Sequence, residues 1–262
     1  MILFDTHCHI ADSAFDSDLP EVIDRFLQAG GRRAVVVADP CEEAPNQEKV
    51  FSLVESRDFL FGAIGVHPHN SIRYSDAVEK EMLSYLAREK CRLFGEIGLD
   101  YHYDLSPREV QREVFDRQLE LAYDLNIPVQ LHIREAHGDC MDMLRARAKS
   151  GRMPAGIMHC FTGSWESAKV YLDLGLYISL SGAVTFKNAP KLAEVAEKMP
   201  ADRLLSETDC PYMAPVPMRG KRNEPSFISY TVSKIAYLRG ESPDAAAETL
   251  YRNACRALSL EC

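Results

Sequence analysis

Two kinds of apolar pattern alternate along the chain from one end to the other. Short apolar runs are typical of buried strands, and longer stretches with apolar residues three or four positions apart are typical of helices. The pattern predicts eight strands, at 2–6, 33–38, 61–66, 92–96, 127–132, 156–159, 176–179 and 203–206. The clearest helices are predicted at 19–29, 107–125, 190–198, 226–238 and 243–258.

Eight strands that alternate with helices favour a (β/α)8 TIM-type barrel, which is an α/β fold, over an open doubly wound sheet. An open sheet more often carries a glycine-rich phosphate loop after its first strand. Here the first strand runs into the sequence DTHCH at 5–9 instead. Because such barrels often reach about 250 residues as one domain, we expect residues 1–262 to form a single barrel domain.

The composition is that of an ordinary globular protein, with 46% hydrophobic and 26% charged residues. No apolar run approaches the roughly 20 residues that cross a bilayer, and the first residues do not form a signal segment. The eight cysteines are scattered singly, which indicates reduced thiols. We therefore expect a cytoplasmic protein with no membrane attachment and no obligate protein partner.

The net charge of −9 argues against a protein that simply coats nucleic acid, since that needs a broad basic surface. It leaves room for an enzyme that handles a polyanion within one cleft, where metal ions and a few arginines or lysines supply the positive field.

The fourth predicted strand ends at Glu96, between two glycines. An unpaired carboxylate is costly to bury, so Glu96 either joins a salt bridge or faces a cation. The other predicted strands favour the cation, because most of them also end in residue types that bind metals, namely His7, His9, His67, His132, His159 and Asp209. In a barrel these strand ends meet at one rim. Residues two apart on a strand point the same way, so the first two histidines face inward together.

Seven short motifs, spread in order over nearly the whole chain, resemble those of the TatD family of metal-dependent deoxyribonucleases, within the larger group of amidohydrolase-like barrels. The motifs are DTHCH at 5–9, GVHPH at 65–69, GEIGLDY at 95–101, PVQLHIR at 128–134, HCFTGS at 159–164, ETDCPY at 207–212 and RGKRNEP at 219–225.

The resemblance implies two divalent cations bridged by the carboxylate of Glu96. The ligands it implies are His7, His9, Glu96 and Asp209 for one cation and Glu96, His132 and His159 for the other. The metal stays open among magnesium, manganese and zinc, because four imidazoles favour zinc or manganese whereas the family is usually described as magnesium-dependent.

By analogy with related barrels, Asp209 orients or deprotonates the attacking water. His67 contacts the phosphate or that water without being a main ligand. Glu96, as the bridge, is the third residue expected to be essential for catalysis. Two cations about 3.5–4 Å apart suit the hydrolysis of a phosphodiester.

Positive side chains are expected near the same rim. Arg134 follows His132 by two positions, and Arg219, Lys221 and Arg222 form a compact basic group after the last strand. Aromatic residues nearby offer faces to unpaired bases. They are Tyr101, Tyr103, Phe161, Phe186 and Tyr212.

With the resemblance, these residues predict a deoxyribonuclease that acts on DNA with single-stranded or frayed ends, as an exonuclease at the 3′ end. A hydrolase of small esters, lactones or amides is the alternative, because related barrels have those activities.

Overall fold

Within residues 1–43 and 47–262, which the computed structural model describes, eight parallel strands follow one another around the sheet in chain order. They are β1 (Leu3–Cys8), β2 (Gly31–Ala38), β3 (Leu60–Ile64), β4 (Cys91–Asp100), β5 (Val129–Arg134), β6 (Gly156–Met158), β7 (Tyr177–Leu180) and β8 (Leu204–Ser206).

Each strand is followed by at least one helix, and two helices follow the last strand. The helices are α1 (Leu19–Gln28), α2 (Gln47–Glu55), α3 (Asp76–Leu86), α4 (Arg108–Leu125), α5 (His137–Lys149), α6 (Trp165–Asp173), α7 (Pro190–Lys198), α8 (Ile228–Arg239) and α9 (Pro243–Ala257). The predicted (β/α)8 barrel is confirmed. None of the helices in the described part of the chain is both long enough and apolar enough to cross a membrane.

Local signals in the sequence set where several helices begin and end. The hydroxyls of Ser75, Ser164 and Ser242 accept backbone N–H groups at the starts of α3, α6 and α9. Asn126 and Gly240 adopt the left-handed conformation just after α4 and α8, where a glycine or asparagine commonly ends a helix.

Two backbone hydrogen bonds close the seam between the end of β1 and the segment that follows β8. The N–H of Asp209 donates to the carbonyl of His7 over 3.0 Å, and the N–H of His9 donates to the carbonyl of Cys210 over 2.8 Å. These bonds bring the residues after β8 against the end of β1.

The interior of the barrel is filled at its N-terminal end. Phe4, Leu93 and Leu205 belong to one buried cluster with Tyr251 and Leu258, so α9 and the turn after it cover the start of the strands. With this end packed by apolar side chains, the polar residues on the strands are left to the C-terminal end.

Three strands, among them β5, which continues to Arg134 instead of ending at residue 132, run at least two residues further toward that end than the sequence predicts. β1 continues to Cys8 instead of ending at residue 6, and β4 continues to Asp100 instead of ending at Glu96. The physical reason is backbone pairing: β4 stays in register with β5 as far as the pair Asp100 and Arg134. Polar side chains do not end a strand whose neighbour still offers hydrogen-bond partners.

Candidate metal centre

Seven side chains that the sequence singles out converge at the C-terminal mouth of the barrel: the six predicted metal ligands, and His67, which was not expected to be a main ligand. Three lie within strands, on β1, β4 and β5, and four lie in the segments that follow β1, β3, β6 and β8. They are His7, Glu96 and His132, and His9, His67, His159 and Asp209. Because the strands are parallel and the barrel is nearly closed, all these segments end at the same place.

The carboxylate of Glu96 has one oxygen on each side of this group. Its Oε2 lies 3.5 Å from Nε2 of His7. Its Oε1 lies 2.6 Å from Nδ1 of His132 and 3.3 Å from Nε2 of His159. The residues therefore form two clusters that share Glu96: the first cluster (His7, His9 and Asp209) and the second cluster (His132 and His159).

In the first cluster, donor atoms from β1 and from the segment after β8 point at one another. The Nε2 atoms of His7 and His9 are 2.9 Å apart, and Oδ1 of Asp209 lies 3.7 Å and 3.6 Å from them. Asp209 has a φ of 55°, in the left-handed region where an aspartate is tolerated better than most residues. Two imidazole nitrogens and a carboxylate aimed at one point fit a divalent cation.

The second cluster is held in place by carboxylates on its far side. Asp100 is fully buried, and its Oδ2 lies 3.0 Å from Nε2 of His132. Glu207, also fully buried, places Oε1 2.8 Å from Nδ1 of His159. A carboxylate behind a histidine fixes the orientation and tautomer of the ring, as is usual for metal-binding histidines.

Asp100 is the functional residue that the sequence interpretation missed. The predicted strand ended at Glu96, so nothing placed Asp100 at the centre. The signal was present, because 96, 98 and 100 share one face of a strand of period two. Glu207, which precedes Asp209 by two residues, also lies behind a ligand-type histidine through its contact with His159.

Burial and the neighbouring carboxylates shift the pKa values of the second-cluster histidines in opposite directions. Burial lowers the pKa of His132, but Glu96 and Asp100 outweigh it and raise that pKa to about 9. Burial likewise opposes the charge of His159, yet Glu207 and Glu96 raise its pKa to about 10. Both side chains thus lie where a positive charge is stabilised.

The pKa of His7 is lowered instead of raised, and the pKa of Glu96 is lowered by the histidines around it. Burial, and then the nearby His159, hold the pKa of His7 well below its usual value. Burial would raise the pKa of Glu96, but four surrounding histidines keep it well below the ordinary range. Glu96 is therefore a carboxylate in the folded chain, as a bridging ligand must be.

His67 faces the centre with a donor instead of a lone pair. Its Nδ1 accepts the N–H of His69 over 3.2 Å, so the ring proton of the neutral form lies on Nε2, which is 3.6 Å from Oε1 of Glu96. Burial lowers the pKa of His67 to about 4, so the ring is neutral at pH 7. A neutral N–H donor suits contact with a phosphate oxygen better than metal ligation.

The four predicted substrate-binding cations differ in their surroundings. Arg134 lies with its guanidinium carbon 4.7 Å from the ring centroid of Tyr103, and Lys221 is exposed. Arg219 donates to the carbonyl of Ala214. The guanidinium of Arg222 makes a two-bond contact with Asp18, with distances of 2.8 and 2.7 Å. Arg222 thus anchors its loop, and the contact with Asp18 competes with its predicted role in substrate binding.

Replacing Arg222 with alanine should lower Tm by a few degrees, because the loop loses its bidentate contact with Asp18. KM for a DNA substrate should stay within about twofold of the wild-type value, as for a substitution away from the bound ligand. Lys221→Ala is the matched comparison, since that neighbour is exposed and forms no ion pair within residues 1–43 and 47–262, and its KM should rise. An equal rise in KM for both variants would restore the substrate role of Arg222.

Replacing Glu207 with glutamine should weaken metal binding by about 10- to 100-fold, because a neutral amide fixes the ring of His159 less firmly than a carboxylate does. Equilibrium dialysis against the metal, followed by metal analysis, measures the change. Glu135→Gln, at an exposed carboxylate that pairs with His102, is the control. Unchanged affinity in Glu207→Gln would show that Glu207 does not support the ligand.

The model of the family described as TatD related DNase matches residues 4–259. The chain belongs to the TatD family. A relative in Bacillus subtilis (strain 168), the uncharacterized metal-dependent hydrolase YabD, is 41% identical over 255 residues, which are 97% of this chain and 98% of the relative.

A second relative, from Rahnella sp. (strain Y9602), is named 3′-5′ ssDNA/RNA exonuclease TatD. It is 33% identical over 263 residues, with 98% of each chain covered. Among solved structures, this chain is similar to YJJV, a TatD homologue from Escherichia coli K12. The two chains are 31% identical in sequence, and their structures match with a TM-score of 0.89 over 99% of this chain and 98% of that chain. The chain is thus a metal-dependent hydrolase of the TatD family with the same barrel.

Proposed function

We propose that this TatD-family hydrolase binds two divalent cations and is a 3′ exonuclease of single-stranded DNA. The observation that carries the proposal is the position of Glu96, whose two oxygens face two separate clusters of ligand-type side chains. His7, His9, Asp209 and Glu96 would hold one cation, and Glu96, His132 and His159 would hold the other. Magnesium, manganese and zinc are the candidate metals.

The pair of cations, when bound, would activate a water molecule and neutralise charge on the attacking and leaving oxygens of the phosphodiester. The chain's own residues orient the reactants. His67 presents a neutral N–H to a phosphate oxygen, and Arg134 on β5 and Lys221 in the loop after β8 would receive the neighbouring phosphates. Cations on side chains at the rim would bring a polyanion to an otherwise acidic protein.

Asp209 is our candidate for the residue that removes a proton from the attacking water. The side chain of Asp209 is 15% exposed, against 9% for Glu96, so of the two it is the more open to a water molecule. Asp209→Asn should lower kcat at saturating metal by about 10²–10⁴-fold, as the loss of a general base does. A variant whose kcat recovers once the metal is raised to saturation would assign Asp209 a purely ligating role.

The relative named 3′-5′ ssDNA/RNA exonuclease supports the choice of substrate and of the 3′ end. The surroundings of Arg222 favour the alternative of a small-molecule hydrolase, because this cation is held by Asp18. A small ester, lactone or amide needs fewer phosphate contacts than DNA does.

Release of nucleotides from short single-stranded DNA, labelled at either end, tests the proposal. The metal-stripped protein is compared with samples given magnesium, manganese or zinc, beside a Glu96→Ala control. We expect metal-dependent shortening from the 3′ end that disappears in the control. If the protein binds two cations but cleaves no DNA, a panel of lactones, esters and amides would decide for the alternative.

A further inference from the structure

The five aromatic residues near the rim fall into two groups by exposure. Phe161 is buried, and Tyr101 and Phe186 are half-buried. Tyr103 and Tyr212 are open, with 55% and 58% of their surface exposed. Only this second pair offers wide ring surface to a ligand.

A single imidazole separates Tyr103 from the metal centre. The ring of His69 has its centroid 5.3 Å from that of Tyr103 and 6.2 Å from that of His132. Asp100 ties the three residues together, since one of its oxygens accepts the N–H of Tyr103 over 2.9 Å and the other contacts both histidines. The position of Tyr103 is therefore fixed relative to a proposed ligand.

Arg134 adds a charge to this open ring. Its guanidinium lies against Tyr103 at 4.7 Å, and in residues 1–43 and 47–262 it makes no ion pair. A guanidinium stacked on an aromatic ring keeps its N–H donors available for a phosphate.

Two apolar side chains at the same rim, Ile72 and Leu105, are 63% and 64% exposed, and the N–H of Ile72 bonds to Ser106, next to Leu105.

Tyr212 occupies the opposite side of the mouth. Its ring centroid lies 6.1 Å from that of His9, at the β1–β8 seam, whereas Tyr103 follows β4 beside β5. In a ring of eight strands, β1 and β5 lie opposite each other. The metal centre therefore has one exposed tyrosine on each flank.

We propose that Tyr103, backed by Arg134, and Tyr212 stack on the two unpaired bases that flank the scissile phosphate. The inference rests on the proposed nuclease function, and it explains why such a nuclease would prefer single-stranded DNA to duplex DNA. A base inside a duplex has both faces covered by its neighbours, whereas an unpaired base presents a face to an aromatic ring. For a 3′ exonuclease these two bases are the last two of the strand.

The test compares Tyr103→Ala and Tyr212→Ala with their phenylalanine counterparts. Tyr237→Ala is the matched control, because this tyrosine of α8 is 77% exposed and takes no part in the metal centre. The substrates are an intact single strand, the same strand with an abasic residue at either of its last two positions, and a blunt duplex. Metal content and kcat at saturating DNA report on the centre itself.

Each alanine variant should raise KM for the intact strand about tenfold, the order expected for one lost stacking contact. The phenylalanine variants and Tyr237→Ala should match the wild type. For the wild type, an abasic residue at the position that stacks on a given tyrosine should raise KM by the same factor. For the variant in which that tyrosine is alanine, the abasic residue should raise KM no further. The preference for single strand over duplex should fall by the same factor.

Two outcomes would overturn the inference alone. One is a wild-type KM in both alanine variants. The other is a rise in KM, relative to the wild type, that is as large on the abasic strands as on the intact strand. A wild-type protein that releases no nucleotides from any strand with any metal would overturn the nuclease proposal and this inference together. The wild-type assay thus separates the two failures.

Discussion

Replacing Glu96 with alanine is expected to abolish turnover while the barrel persists. Both clusters lose their shared carboxylate at once, since its two oxygens face His7 on one side and His132 and His159 on the other. We expect kcat to fall by about 10⁴-fold or more, beyond the 10²–10³-fold typical of one lost electrostatic contact.

Metal analysis and circular dichroism complete this experiment. The variant should bind fewer cations than the two per chain expected of the wild type, and its circular dichroism spectrum should keep the helical signal. Glu135→Ala, which removes an exposed carboxylate from the same rim, is the control for charge. Glu96→Ala with most of its activity intact would refute the bridging role.

Removing the metal is expected to lower Tm by about 10 °C and to abolish activity. A ligand at about 1,000 times its Kd stabilises the folded chain by about 4 kcal/mol. In a protein of this size, about 1 kcal/mol shifts Tm by 2–4 °C. The physical reason is the crowding of the centre: the rings of His7 and His159 are stacked at 3.5 Å, and the Nε2 atoms of His7 and His9 meet at 2.9 Å. Cations would bind to these donors in the folded chain only, because the unfolded chain does not bring them together.

Differential scanning calorimetry with and without a chelator measures this shift, and returning each metal separately shows which one restores Tm and activity. The double variant His9→Ala/His132→Ala, which lacks one ligand from each cluster, should respond to the chelator far less. A wild-type Tm that does not change on complete removal of metal would contradict the proposed centre.

Local patterns in the sequence predicted the barrel well, because strands and helices have different periods of apolar residues and can be told apart along the chain. The segment 190–198 was predicted with the bounds that α7 has in the structure. Strand ends near the site were predicted less well, since β1 and β4 extend over polar residues that look like a stop in the sequence. Pairing with a neighbouring strand decides such ends, and one chain segment does not reveal its neighbour.

The sequence by itself determined the fold class, the family and the residue types that gather at the rim. Their spacing at successive strand ends was sufficient, because parallel strands in a closed barrel must end together. Only the tertiary structure decided which contacts those residues make. It placed Asp100 behind His132, put Arg222 on Asp18, and left Tyr103 and Tyr212 open. These are contacts between segments far apart in the chain, and they depend on side-chain direction and burial.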